Sequence, residues 1–202
     1  MTKKLTKGGY LESLLRSSKT IFTIKDIALL WKEEITPAVR VRLSQYVKRG
    51  KLIRVHHGVY AKDGYYDKFE LAVKIYTPSY ISFETVLTRA GISFQYYGNI
   101  FVASYVGREI EVAGQKIAYI KIKDYVLSNT IGIEHLNDVA IASKERAFLD
   151  RIYVSRDYHF DHLDVLNWDK VFEILPIYRN QRMKKKVEEY FKYYQANKSE
   201  NK

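Results

Sequence analysis

Cysteine is absent from the 202 residues, which excludes disulfides and thiolate metal sites and fits a reducing compartment. No apolar run approaches the length of a membrane span, and the first stretch, MTKKLTKGGYLESLLRSSK, lacks the apolar centre of a secretory signal. There is no glycine-rich phosphate loop, no Ser-His-Asp pattern that can be placed, and no convincing repeat. These absences predict a cytoplasmic protein that does not span a membrane. What is present is enough to fold: 47% of residues are apolar, so the chain can build a core.

Acidic charge is scarce at both ends. Residues 1–62 hold 14 Lys+Arg against 4 Asp+Glu, and residues 178–202 hold 8 against 3. Residues 63–177 reverse the balance, with 12 against 16, inside a chain of formal net charge +11. A concentrated basic segment is an electrostatic footprint for a polyanion, with nucleic acid or a membrane surface the usual candidates.

Three helical patterns occupy the basic start. Tyr10, Leu11, Leu14 and Leu15 repeat at helical spacing. In TIFTIKDIALLW, Thr23 stands as an N-cap with Asp26 in the capping-box position, and Ile24, Ile27, Ala28, Leu30 and Trp31 form a face. The third helix has Thr36 as cap, Pro37 at its first position and Gly50 as terminator. A helical wheel puts Val39, Leu43, Tyr46 and Val47 inward and Ala38, Val41, Ser44, Gln45 and Lys48 outward, with Arg40 and Arg42 on the flanks. Small residues at the centre of an outward strip permit close approach to a major groove, while flanking arginines reach phosphates or guanine edges.

KLIRVHHGVYA then reads as a short hairpin turning at Gly58. Three helices followed by a basic hairpin is the order of a winged helix-turn-helix. The expected contacts to double-stranded DNA are Thr36, Arg40, Arg42, Ser44, Gln45 and Lys48 from the helix, with Gln45 and Arg42 as base readers. Lys51, Arg54, His56 and His57 are expected to hold backbone.

The run VRVRLSQYVKRGKLIRVHHGVYA resembles the winged-helix domain of the AbiEi antitoxin family, in which a helix ending in Arg-Gly leads into a wing that closes on Gly-Val-Tyr. PSYISFETVLTRAGI (residues 78–92) is similar to that family's extended segment and helix, and IASKERAFLDRIY (residues 141–153) to its Ser-x-Glu-Arg helix. The three motifs stand in order across roughly residues 20–155. The resemblance implies a winged helix followed by an antitoxin domain of mixed α/β structure. It also implies an antitoxin of an abortive-infection operon that represses its own promoter through inverted repeats. The implied functional partner is a nucleotidyltransferase-like toxin, countered without a required stable complex.

The remainder predicts an α+β fold. Residues 1–62 form the winged helix-turn-helix, and residues 63–202 a mixed α+β domain with a small antiparallel sheet and a helical C-terminus. KDGYYDK marks the boundary. A helix with Phe69, Leu71, Ala72 and Ile75 ends before Pro78, and a second runs from a Ser82 cap to Gly91. NIFVASYV, REIEVAG and QKIAYIKIK read as strands, the last two a hairpin about Ala113-Gly114, and DVAIAS as a short strand before a helix capped by Ser143.

Three further features admit sharper readings. Glu145, Asp150 and the loop around Asp161 are the only carboxylates that a metal-dependent nuclease or nucleotidyl-transfer enzyme could use, and a helix-end role for Glu145 with a paired Arg146 is the stronger expectation. Asp157, His159, Asp161, His162 and Asp164 are dense with ligand types, yet their spacing matches no helix or strand pair, so no metal or other cofactor is expected. Tyrosines in YIKIKDY and YYGNIFVASY could stack on bases, although half-buried packing is commoner in a small sheet. Met183, Val187, Tyr190, Phe191 and Tyr194 form a stripe expected to be core or an oligomer contact, beside Lys184, Lys185 and Lys186. An adaptor that docks a partner protein through this aromatic helix is the remaining alternative. The chain is expected to be non-enzymatic, and a monomer or weak dimer that places two copies on an inverted repeat.

Overall fold

The computed structural model describes residues 8–95, 98–155 and 157–200. The chain starts with α1 (Gly9–Arg16), a short strand β1 (Ile21–Thr23), α2 (Ile24–Trp31) and α3 (Pro37–Lys48). A hairpin follows, β2 (Ile53–His56) and β3 (Val59–Ala61). β3 lies between β1 and β2 in an antiparallel three-stranded sheet. The capping box of α2 forms as its spacing requires: the Thr23 hydroxyl accepts from Asp26 N–H at 3.1 Å, and Asp26 accepts from Thr23 N–H at 2.8 Å. At the hairpin tip Gly58 has φ +71°, a left-handed value that a side chain at this position would strain.

Helices and strands then alternate. α4 (Lys68–Ile75), β4 (Ser79–Ile81) and α5 (Glu84–Arg89) lead to β5 (Asn99–Ser104), β6 (Arg108–Val112) and β7 (Gln115–Lys121). α6 (Asp124–Leu127), β8 (Ile133–Leu136), β9 (Val139–Ala142) and α7 (Lys144–Val154) come next. α8 (Trp168–Ile174), one turn of 3-10 helix and α9 (Gln181–Glu200) complete the order. The antiparallel pairings expected in this half are present in β6–β7, and β4–β5 and β8–β9 add two more. Parallel pairings β5–β7 and β4–β9 join them into a six-stranded sheet ordered β6-β7-β5-β4-β9-β8. The Ala113-Gly114 turn has φ of 49° and 77° at successive residues, as a two-residue hairpin loop demands.

Ser82 was expected to cap α5 and does not. The preceding residue of that helix is Phe83, with φ 52° and no side-chain cap, while Ser82 is fully buried and donates to Asp150 Oδ2 at 2.7 Å. A buried carboxylate competes for the hydroxyl more strongly than a helix end does. The Ser143 cap of α7 does form, accepting from Arg146 N–H at 3.2 Å.

The apolar residues sort into two main cores. One holds Tyr10, Leu14, Phe22, Ile27, Trp31, Val39, Leu43 and Leu52, all from before residue 62. The larger is built on the six-stranded sheet, with α7 at its centre and α9 closing it. There the Met183, Val187, Tyr190, Phe191 stripe packs inward, with Phe148, Trp168 and Phe172 against its rings. A third cluster of Ile21, Val59, Ala61, Leu71 and Val112 spans the two halves. Polar contacts reinforce it. Glu70 Oε2 accepts from Thr20 N–H and hydroxyl at 2.8 and 2.7 Å, and Lys74 and Lys19 reach Asp26 and Asp138 at 3.4 and 3.2 Å. The segment 62–67 is therefore a short loop between packed units.

Candidate nucleic-acid interface

α3 is positioned from beneath. Val39 and Leu43 have no exposed surface and sit among Leu14, Ile27, Trp31 and Leu52. Burying two such side chains stabilises the docked helix by about 3–5 kcal/mol. Its start is set by Thr36, whose hydroxyl accepts from Val39 N–H at 3.4 Å, and by Pro37, which lacks the donor that a helix start leaves unsatisfied. Beyond its end, Gly50 at φ +65° turns the chain toward the hairpin. With that inner face committed, Ala38, Arg40, Val41, Ser44, Gln45 and Lys48 are all exposed. Val41 is 56% exposed, an apolar group in the middle of a polar strip of the kind that meets a thymine methyl.

Arg42, expected as a base reader, is engaged by other elements of the unit, and its side chain is only 26% exposed. Its Nη1 donates to Glu33 Oε2 at 2.9 Å and its guanidinium stacks 3.7 Å from the Tyr10 ring centroid. The wheel places it on a flank. The acid and the ring that capture it come from the α2–α3 turn and from α1, which no wheel of α3 includes.

The hairpin is rooted in the same core through Leu52, which is 2% exposed. Lys51 is exposed, and its backbone N–H donates to Tyr46 O at 2.9 Å, holding the strand entry against the end of α3. Arg54 is exposed and its Nη2 donates to His57 Nδ1 at 2.9 Å across the tip. His57 is exposed and His56 half-buried, the register of β2 and β3 shifting between Arg54 and His56. Arg49, the C-cap of α3, is exposed and was not among the expected contacts, although the run Lys48-Arg49-Gly50-Lys51 signals it. No acidic residue falls between Glu34 and Asp63. Arg40, Lys48, Arg49 and Lys51 make no ion pair with another described residue. The helix and hairpin thus present unneutralised cations around small, polar and one apolar side chain.

The other candidate clusters do not assemble a comparable site. Arg146 and Asp150 are both fully buried, at 3.4 Å, within a network that includes Tyr80, Ser82 and Tyr178. Burial pushes the Asp150 carboxyl up from the ordinary carboxylate value, against the opposing pull of the Arg146 charge and the hydroxyl donors. Glu145 is buried and accepts from Asn167 N–H at 3.1 Å, tying α7 to the start of α8. Asp161 accepts from Phe94 N–H at 2.8 Å, and His159–Asp161 and His162–Asp164 are separate pairs at 3.6 and 3.7 Å. Among the described residues, no three His, Asp or Glu side chains gather where they could hold a metal ion. Tyr119 is buried and donates to Ala72 O at 2.7 Å; Tyr96 and Tyr97 lie outside the described residues. No helix of the described residues is long and apolar enough to cross a membrane.

Residues 10–61 match the model of a family described as transcriptional regulator, AbiEi antitoxin. No curated protein matches the chain. The matched span runs from α1 to the last residue of β3, so it coincides with the three helices, the three-stranded sheet and the core beneath them. The family match and the geometry thus meet on one unit, and the family matched there is described as a transcriptional regulator.

Proposed function

We propose that this chain is a sequence-specific DNA-binding repressor that serves as the antitoxin of a toxin–antitoxin operon, with α3 in the major groove and the β2–β3 hairpin acting as a wing. The observation that carries the reading is the coincidence of the family match with a helix and hairpin that expose five cations, Arg40, Lys48, Arg49, Lys51 and Arg54, across a stretch without an acid. Gln45 and Ser44 are the base-reading candidates, with Val41 between them and Arg40 on the flank. Thr36 caps the helix at its DNA-facing end. Lys48, Lys51, Arg54, His56 and His57 hold backbone, where a cation displaces condensed counterions whatever the sequence.

Residues 63–202 are proposed as the antitoxin domain, which docks on the reader through the shared cluster and counters a nucleotidyltransferase-like toxin. Supporting this is the order of the Ser82 and Ser143 motifs, both of which end in one buried network around Arg146 and Asp150. That use of the motif is structural, and no catalytic role is assigned to its carboxylates. Two copies would occupy an inverted repeat in the cytoplasm, each reading one half-site.

The test is binding of the full chain to duplex DNA from upstream of its own coding sequence and to a scrambled duplex, across a salt series. Preference for the upstream duplex with a steep salt slope is the expected result. Equal, weak binding to both would reduce the surface to a nonspecific basic patch and remove the repressor reading.

A further inference from the structure

Arg42 belongs to a closed ring of contacts drawn from all three N-terminal helices. Its Nη1 donates to Glu33 Oε2 at 2.9 Å, and the Tyr10 hydroxyl donates to the other oxygen of the same carboxylate. The guanidinium lies 3.7 Å from the Tyr10 centroid and 5.2 Å from that of Trp31. Trp31 Nε1 donates to Tyr10 O at 2.8 Å, and the Trp31 ring meets Tyr10 and Tyr46 edge-on at 5.2 and 6.4 Å. Tyr10 comes from α1, Trp31 from the last residue of α2, Glu33 from the turn, and Arg42 and Tyr46 from α3. Only about a quarter of the Arg42 side chain and a fifth of that of Glu33 remain exposed (26% and 20%).

We propose that Arg42 is a positioning residue that fixes the angle of α3 against α1 and α2, and that it does so without touching DNA. The inference rests on the reading of α3 as the helix that enters the groove. A guanidinium suits this task because one planar group stacks on a ring and donates in its own plane to a carboxylate at once, which an ammonium cannot do. Which side chains of a recognition helix reach base edges depends on the angle at which the helix is presented. The contact also neutralises Glu33, a carboxylate that stands at the turn leading into α3. Two effects of removing Glu33 therefore oppose each other. Loss of a negative charge by itself tightens binding to any duplex, whereas loss of the clamp weakens discrimination between duplexes.

The experiment measures the full chain and the variants Arg42→Met, Arg42→Lys and Glu33→Ala on the upstream and scrambled duplexes across a salt series, with folding checked by circular dichroism. The clamp predicts that preference for the upstream duplex falls by about tenfold in Arg42→Met and in Glu33→Ala, and that Arg42→Lys does not restore it. The salt slope on the scrambled duplex stays at its wild-type value in Arg42→Met. A slope reduced by about one in that variant would show Arg42 on a phosphate and overturn the proposal. Tightening on both duplexes by the same factor in Glu33→Ala, with preference for the upstream duplex unchanged, would overturn it too, since removal of the charge would then account for the whole effect. Should Arg42→Met not fold, the two duplexes with Glu33→Ala decide the matter by the sign of the change in preference. Wild-type binding without preference would remove the repressor reading alone, and the scrambled-duplex slope would still judge the clamp. No binding to either duplex would remove both.

Discussion

Replacing Arg146 by methionine is expected to destabilise the chain by about 3–5 kcal/mol at pH 7. Methionine fills most of the volume of the arginine stem, so the loss is chiefly polar. Arg146 donates to Val126 O at 2.7 Å, Ile131 O at 2.8 Å and the Tyr80 hydroxyl at 3.0 Å, and faces Asp150 Oδ1 at 3.4 Å. Without it those acceptors lose a donor, and Asp150 stays fully buried with Tyr178 and Ser82 donating at 2.7 Å but no countercharge. Burial already pushes this carboxyl above its ordinary value near 3.8, and the variant carboxyl escapes the charge penalty by taking up a proton. Holding that proton at pH 7 costs about 4 kcal/mol, which caps the charge contribution. The sign follows from the raised folded value: the native variant binds the proton more tightly than the unfolded chain, so stability falls as pH rises from about 4 through the folded value. Urea unfolding at pH 7 and pH 5 should therefore show a smaller deficit at pH 5. Adding Asp150→Leu to Arg146→Met should recover part of the loss, since a hydrophobic pair replaces a stranded charge. A deficit below about 1 kcal/mol, or one equal at the two pH values, would refute the ion-pair account.

Three other expectations concern the reader. Gln45→Ala should relax preference at one base pair and weaken the upstream duplex by about 1–3 kcal/mol, with little change on scrambled DNA, as read by competition binding. Lys51→Ala should weaken both duplexes alike and reduce the salt slope by about one; a loss confined to the upstream duplex would contradict a phosphate role. Asp26 counts at the junction of the halves: burial alone would raise its carboxyl, but hydrogen bonds from Thr23 and the charges of Lys74 and Lys19 hold it below the ordinary value. Its contribution is thus present above about pH 4 and lost as pH falls through the lower folded value, and Asp26→Asn should cost about 1–2 kcal/mol at pH 7 in thermal unfolding, shrinking toward pH 3.

Features that depend on a few neighbouring residues were legible in the sequence. The Thr23–Asp26 box, the Thr36-Pro37 start, the hairpin at Gly58 and the turn at Ala113-Gly114 each encode their geometry within four residues. What escaped depends on partners far along the chain. β4 is legible as an extended segment, but its place inside the sheet depends on β5 and β9, about twenty and sixty residues later. Ser82 reads as a helix cap until Asp150, 68 residues on, supplies a better acceptor. Arg42 reads as an outward flank until Glu33 and Tyr10 arrive from other elements. For Ser82 and Arg42 the local signal is sound and a polar partner from another element outweighs it, because a buried or half-buried charge gains more from a fixed partner than a surface group does from water.

The same distinction sharpens the charge argument. The excess of cations in residues 1–62 overstates what a polyanion would meet, because several are spent internally. Arg16 pairs with Glu12, Lys19 with Asp26 and Asp138, Arg42 with Glu33, and Lys62 donates to Ser17 O beneath the Phe22 ring. Among the described residues Lys25 and Lys32 make no such pair either, but the densest run of unpaired cations is Arg40, Lys48, Arg49 and Lys51, and Arg54 follows at the hairpin, bonded to a histidine. Internal pairing thus weakens the field elsewhere among the described residues of the unit and leaves its densest part along α3 and the strand beyond. A focused stripe of this kind orients a duplex as well as attracting it, since the free energy of approach varies with angle when the opposing charge is a regular array of phosphates. That orientation is the condition under which Ser44 and Gln45, short and uncharged, can act on base edges at all.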